Sequence, residues 1–178
     1  MQPEQYYHVY NRGNNKEKIF YEEKNYKYFL EKFDKYLLSY IHVFAYCLMP
    51  THFHFFIRMK EIDTKVSRAF KNFFISYAKS INIKYKRTGS LFQANFKKKE
   101  FANDCDFCNI ILYIHLNPVK AGLCKNCTDW KYSSYNAFIS GKSSKINVGE
   151  VMSWFRNVEQ FVKAHDESKD ELSKIEGY

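Results

Sequence analysis

Residues 40–59 read YIHVFAYCLMPTHFHFFIRM. The stretch is dense in aromatic and β-branched residues, and Pro50 interrupts it once. Proline has no N–H to give to a strand ladder. Met49-Pro50-Thr51 therefore reads as a turn, flanked by strands near Tyr40–Leu48 and His52–Met59. Side chains alternate along a strand, so His52 and His54 share one face while Phe53 and Phe55 point into the core.

The flanking sequence supplies partners for this hairpin. Tyr26, Phe29, Phe33, Leu37 and Tyr40 recur at helical spacing and predict an amphipathic helix over Glu22–Ser39. Tyr6–Tyr10 reads as a first strand, closed by a turn at Asn11–Asn15 (NRGNN). Downstream, Asp63 or Thr64 can cap a second helix whose buried stripe is Val66, Phe70, Phe73, Tyr77 and Ile81. A basic turn at Lys84–Gly89 leads to a strand near Leu91–Lys99. A third helix, capped by Asn103 or Asp104, is expected to end before Pro118. Trp130–Ile139 reads as packed surface chain or a short helix, and Gly141–Lys145 (GKSSK) as a polar joint. Val148–Ala164 carries a helical pattern through Val151, Trp154, Phe155, Val158 and Phe161, and the charged residues from His165 onward are expected to fray.

The first six elements run βαββαβ, which predicts an α+β, ferredoxin-like sheet with its helices on one face. The next helix adds to that unit. Residues 1–140 read as the main domain, and 141–178 as a C-terminal helical extension with a charged tail.

Composition narrows the function. The chain has 178 residues, 46% of them hydrophobic, with 17 Phe and 15 Tyr, which is enough for a sizeable core and excludes a disordered chain. No run approaches a membrane span, and the polar N-terminus has no signal-peptide core, so a cytoplasmic location is expected. The 28 Lys and Arg exceed the 19 Asp and Glu, giving +9. That balance favours a polyanionic partner, nucleic acid or an anionic surface.

His52-Phe53-His54 carries the sharpest chemistry. Same-face neighbours on a strand lie about 6.6 Å apart, so two imidazoles can converge on one divalent ion. Two ligands are too few, and two surface histidines are the plain alternative. Tyr113 and Asn117 stand at i and i+4 on one helix face, where the Asn117 amide oxygen can complete a metal site and the Tyr113 hydroxyl can sit beside it. Their plain alternative is a packed Tyr and a helix-closing Asn. His8 lies on the first strand, on a face that sequence does not fix. His115 points away from Tyr113 and reads as a structural or surface histidine.

Two further groups remain. Lys84, Lys86 and Arg87 share one loop, and Lys97-Lys98-Lys99 form a second basic run in which Lys97 and Lys99 share a face and Lys98 takes the other. With Arg12 and Lys120 they are candidate phosphate contacts, the alternative being solvated surface. Tyr6, Tyr7 and Tyr10 can stack on unpaired bases or pack in the core. Cys105-x-x-Cys108 and Cys124-x-x-Cys127, with fifteen residues between them, have the spacing of a structural zinc site, the alternative being free thiols.

The segments YYHVYNRG, FAYCLMPTHFHFFI, GSLFQANFKKKEF, YIHLNPVKAGL and WKYSSY occur in this order. Together they resemble the single-tyrosine HUH transposases, more narrowly the IS200-like transposases and the REP-associated tyrosine transposases. The resemblance implies a ferredoxin-like transposase domain in which His52 and His54 bind a divalent metal, Mg or Mn, Asn117 completes the shell and Tyr113 is the nucleophile. It implies single-stranded DNA as substrate, with a hairpin near the cleavage site, nicked and rejoined through a covalent 5′-phosphotyrosine. A monomer and a homodimer both occur among such proteins. The competing functions are a non-catalytic nucleic-acid-binding module, a metal-dependent hydrolytic nuclease and a protein-interaction domain whose basic face is incidental.

Overall fold

A computed structural model describes the backbone of residues 1–60, 65–141 and 144–171, and their side chains except at 104, 105, 170 and 171. The element order is β1 (Tyr6–Arg12), α1 (Glu23–Leu37), β2 (Ile41–Met49), β3 (His52–Met59), α2 (Val66–Lys84), β4 (Lys97–Phe101), α3 (Asp104–Lys120), α4 (Tyr135–Ile139), α5 (Val148–Phe155) and α6 (Val158–Glu171). The proposed caps Asp63 and Thr64, and part of the GKSSK joint, lie outside the described residues.

The result is a mixed α/β fold on a four-stranded sheet of order β2-β3-β1-β4, every neighbouring pair antiparallel. The strands' alternation divides the core in two. Tyr7, Val9, Phe53, Phe55 and Ile57 face α1 and α2, joining the stripes Phe29–Phe33–Leu37 and Phe70–Phe73–Tyr77. Phe29 is fully buried, with Phe53, Phe73 and Tyr77 rings within 5.1 Å of its own. Truncating such a side chain to Ala costs about 3–5 kcal/mol. On the opposite face Phe44, Phe56 and Phe101 meet α3, with Val151, Phe155 and Phe161 of α5 and α6 behind it. Arg58 of β3 ties α5 down through Glu150 at 2.8 Å, and Tyr6 donates to the same carboxylate.

Five expectations change. The helical pattern read over Val148–Ala164 forms two helices, α5 and α6, parted at Arg156, which takes φ +71°. β1 continues through Asn11 and Arg12, because both pair with β3, at Phe53 and His52. The strand expected near Leu91–Lys99 begins only at Lys97. Phe92 bridges to Gly13 and Lys97 pairs with Tyr10, five positions against three, so the stretch between them bulges from the ladder; Phe96 stacks on Phe70 at 4.9 Å, and Asn95 takes φ +59°. α3 runs through Pro118 to Lys120. The proline deprives the Ile114 carbonyl of a partner, but the last turn closes beyond it, Ala121 N–H donating to Asn117 at 3.0 Å and Leu123 N–H to Pro118 at 2.9 Å. Gly122 holds the left-handed φ of +68° that this closure uses. Finally, the chain does not fray at His165, which is buried in α6 and hydrogen-bonded to α3.

Candidate active site

Three elements deliver the site. β3 presents His52 and His54 toward α3. β1 lies beside it in the register Tyr10 opposite His54 and His8 opposite Phe56, so His8 sits diagonal to His54 on the same face. α3 crosses this face and carries Tyr113 and Asn117 one turn apart. The Tyr113 ring stands edge-on to His54, centroids 5.5 Å apart at 87°, and edge-on to His8 at 5.9 Å. His52, His54 and Tyr113 line one cavity of about 390 Å³ with Arg12 and Lys97, walled on one side by Asn11 and Gln93.

The hydrogen bonds leave specific atoms available. The Nδ1 of His52 is held by the Thr51 hydroxyl at 3.0 Å. The Nδ1 of His54 meets the Nε2 of His8 at 2.9 Å, while the Nε2 of His54 is buried with no partner among the described residues. An unsatisfied buried polar atom costs roughly 1–3 kcal/mol, and a cation bound there would offset that cost. If His54 donates its Nδ1–H to His8, its Nε2 keeps a bare lone pair, the tautomer a metal needs.

Burial keeps all three rings neutral. It pulls His52 down to about 4, with the Arg12 charge adding to the effect. It pulls His8 down to about 3, Lys99 adding, and His54 well below the ordinary range, with His8 adding. Neutral imidazole is the form that binds metal.

Asn117 reaches both partners. Its Nδ2 donates to the Tyr113 carbonyl at 2.7 Å. Its side chain also raises His52 and lowers the Tyr113 phenol, each against the larger effect of burial. Among the described residues no three His, Cys, Asp or Glu converge as a metal cluster. Two imidazoles and an amide oxygen are donor types that could hold a divalent ion, but Asn117 is not among the residues that line the cavity.

Burial raises the Tyr113 phenol above its usual range. A protonated phenol is a weak nucleophile, so nearby positive charge has to favour the phenolate. Arg12 and Lys97 stand in the cavity wall. Lys120 is exposed at the end of α3 and is not among the lining residues.

The other basic candidates separate. Lys99 lies on the site face and its charge is felt at His8, whereas Lys98 sits over the Tyr7 ring on the opposite face. Lys84 pairs with Glu22, and Arg87 pairs with Glu17 at 2.6 Å and donates to the Tyr21 hydroxyl. Lys86 is exposed in the same loop. Those carboxylates lie on a distant segment, so nothing in the basic run itself announces the pairing.

Among the described residues, Cys108, Cys124 and Cys127 form no three-ligand cluster. Cys108 contacts the Trp154 carbonyl, and Cys127 contacts the His115 carbonyl. Cys108 and His115 are seven positions apart on α3, about 10 Å along its axis. Cys124 is half-buried, and the Cys105 side chain lies outside the described set.

His115 is fully buried, not at the surface. It anchors a chain from the Tyr46 N–H through the Ser134 hydroxyl (2.8 Å, then 2.7 Å) and the His165 Nε2 (3.0 Å) to the Phe161 carbonyl (2.7 Å). Sequence left His8 unplaced and did not single out Gln93. The segments YYHVYNRG and GSLFQANFKKKEF contained both residues without indicating that they meet at one cavity.

Fold and site together define an α/β protein that sets a buried tyrosine against paired imidazoles. The chain belongs to the IS200-like transposase family, whose description ("Transposase IS200 like") matches residues 2–117, from the approach to β1 through Asn117. It is similar to the REP-associated tyrosine transposase of Escherichia coli K12, 25% identical over 92 residues, which cover 52% of this chain and 53% of that protein. A Haemophilus influenzae protein, provisionally given the same name, is 29% identical over 103 residues, 52% of this chain and 57% of its own. The matches thus span about half the length of these relatives. The fold resembles the solved structure of a REP-associated tyrosine transposase bound to a REP hairpin, with TM-score 0.66, 19% identity, and coverage of 85% of this chain and 88% of that one. Among the described residues no helix is long and apolar enough to cross a membrane.

Proposed function

We propose that this chain is a metal-dependent single-stranded DNA transesterase, a transposase that nicks and rejoins DNA through a 5′-phosphotyrosine at Tyr113. The observation that carries this reading is the Tyr113 ring standing 5.5 Å from His54, whose buried Nε2 has no partner among the described residues, inside one cavity with His52. Family membership supports it, as does the sheet order β2-β3-β1-β4, which fits a ferredoxin-like βαββαβ unit. α5 and α6 belong to the segment read as an extension beyond residue 140.

The reaction balances without an external energy source. The Tyr113 oxygen, its proton lost, attacks phosphorus. A Tyr–O–P bond forms as the P–O3′ bond breaks, and the departing strand leaves as a 3′-hydroxyl. A second 3′-hydroxyl reverses the exchange and returns the proton to the phenol. Arg12 and Lys97 favour the phenolate and hold the phosphate, while Asn117 orients the phenol. His52, His54 and the Asn117 amide oxygen would hold Mg or Mn, which supplies Lewis-acid stabilisation of phosphate charge when bound.

The partner is single-stranded DNA carrying a hairpin near the cleavage point, a preference supported by the hairpin held by the structural relative. Lys97 and Lys99 are the basic-run residues on the site face, and Lys86 is a more distant phosphate contact. The test is a labelled single strand from the region flanking the gene, incubated with Mg or Mn. A protein–DNA adduct that survives denaturation is expected, and Tyr113→Phe should abolish it while binding persists. Cleavage with no adduct would mean hydrolysis by water and sink the proposal.

A further inference from the structure

A second cavity, of about 500 Å³, adjoins the first and shares two of its residues, Asn11 and Gln93. It lies between α2 and the stretch Leu91–Phe96 that leaves the sheet before β4. The wall common to both is backbone-braced. Gln93 N–H donates to the Arg12 carbonyl at 2.9 Å, and the Asn11 side chain donates to the Gln93 carbonyl at 3.3 Å. The first cavity lies on the α3 face of the sheet and the second on the α2 face, and they meet at this wall, so a strand seated on Tyr113 would pass over Gln93 to reach the second.

The chemistry of that cavity is specific. Phe74, Phe92 and Phe96 give it aromatic walls, with Phe74 packed against both others at 5.3 and 5.5 Å. Ile75, 54% exposed, adds apolar surface to the lining. Polar groups are few. Asn82 places its Nδ2 on the Gly89 carbonyl at 2.9 Å and leaves a buried Oδ1 without a partner among the described residues. Lys71 is exposed on the lining. Flat apolar walls, an amide acceptor and a cation match a nucleobase with its phosphate, and the volume lies in the range of small-ligand pockets. The bulge between Phe92, which bridges to Gly13, and Lys97, which pairs with Tyr10, forms one wall of this cavity.

The geometry points to a base-binding subsite: the cavity takes one unpaired nucleotide of the substrate strand, adjacent to the scissile phosphate, with its base against Phe74 and Phe96 and its phosphate at Lys71. This rests on the reading of the first cavity as a strand-transfer site and adds where a neighbouring base is held. Gln93, between the cavities, is the residue best placed to read that base.

The test uses the full-length chain and single-stranded oligonucleotides from the gene-flanking region, with 5-iodouracil placed at one unpaired position at a time. Light-induced crosslinks, mapped by mass spectrometry, are expected at one position, on peptides from α2 or from Leu91–Phe96. Ile75→Gln, an uncharged change at an exposed helical position, should weaken binding about tenfold, the scale of one lost base stack. It should leave unchanged the binding of a strand made abasic at the crosslinking position. Phe96→Leu, which keeps apolar volume and removes the ring, should behave the same way. Crosslinks confined to other surfaces, no crosslinks at all, or equal weakening of the intact and abasic strands would overturn the subsite. Adduct formation at Tyr113 is scored separately. Crosslinks at the second cavity without an adduct sink the transesterase reading alone, and an adduct with crosslinks elsewhere sinks the subsite alone.

Discussion

Two buried histidine pairs lie on the same side of the sheet, and they differ in one respect. His115 and His165 meet at 3.0 Å, and all four of their ring nitrogens have partners. His8 and His54 meet at 2.9 Å, but the Nδ1 of His8 and the Nε2 of His54 have none among the described residues. Burial holds all four rings neutral. The first pair is a closed hydrogen-bond chain that fixes α6 to α3 and, through Ser134, to β2. The second is an open chain whose unpartnered nitrogen belongs to a ring lining the cavity beside Tyr113. Neutrality and burial are common to both pairs; what sets the second apart is the ring nitrogens left without partners among the described residues.

The largest effect expected at the open pair is at its target. Tyr113→Phe should remove the covalent DNA adduct entirely, read on a denaturing gel, while thermal stability stays close to that of the unaltered chain. His54→Ala should come next, abolishing detectable Mn binding by calorimetry or electron paramagnetic resonance, whereas His115→Ala should leave Mn affinity unchanged; equal losses would erase the distinction between the pairs. His8→Ala should lower Mn affinity by about 10- to 100-fold, the usual effect of removing a ligand's hydrogen-bond partner, with partial recovery in His8→Gln. Unchanged affinity in His8→Ala would show that His8 does not orient His54.

At the closed pair the effects should be on stability. His165→Ala opens the chain and should cost roughly 1–3 kcal/mol, read by urea unfolding, with no change in Mn affinity.

Acid gives the smallest and most graded effect. Burial pulls His165 down to about 4, outweighing the Phe161 carbonyl and Asp166, which raise it, while Lys169 lowers it further. The unfolded state then binds more protons than the folded state between about 6.5 and 4. This contribution to stability is complete above about pH 6.5 and is lost as pH falls toward 4. His165→Ala should therefore flatten the acid limb of the stability profile; an unaltered limb would place the sensitivity elsewhere.

The helical stripes were legible because helical periodicity is local. Val66, Phe70, Phe73, Tyr77 and Ile81 recur every three or four positions, and all are buried in α2. The start of β4 was hidden because Phe92 and Phe96 follow the pull of Phe70 and Phe74 on another element, a contact with no signature in their own segment. Pro118 misplaced a helix end for a related reason: the rule concerns one missing N–H, while the turn beyond it recovers its bonds through Ala121 and Leu123. Lys84 and Arg87 looked like one basic cluster until Glu22 and Glu17 came alongside them.

The sequence by itself determined the element order, the shared face of His52 and His54, and the one-turn spacing of Tyr113 and Asn117, because strand and helix periods set these within a few residues. Only the tertiary structure decided that the two sets face each other, that His8 backs His54, and that His115 belongs to a closed chain with His165. Each of those contacts joins segments distant in the chain, and a hydrogen-bond partner can be assigned only once folding has brought them together.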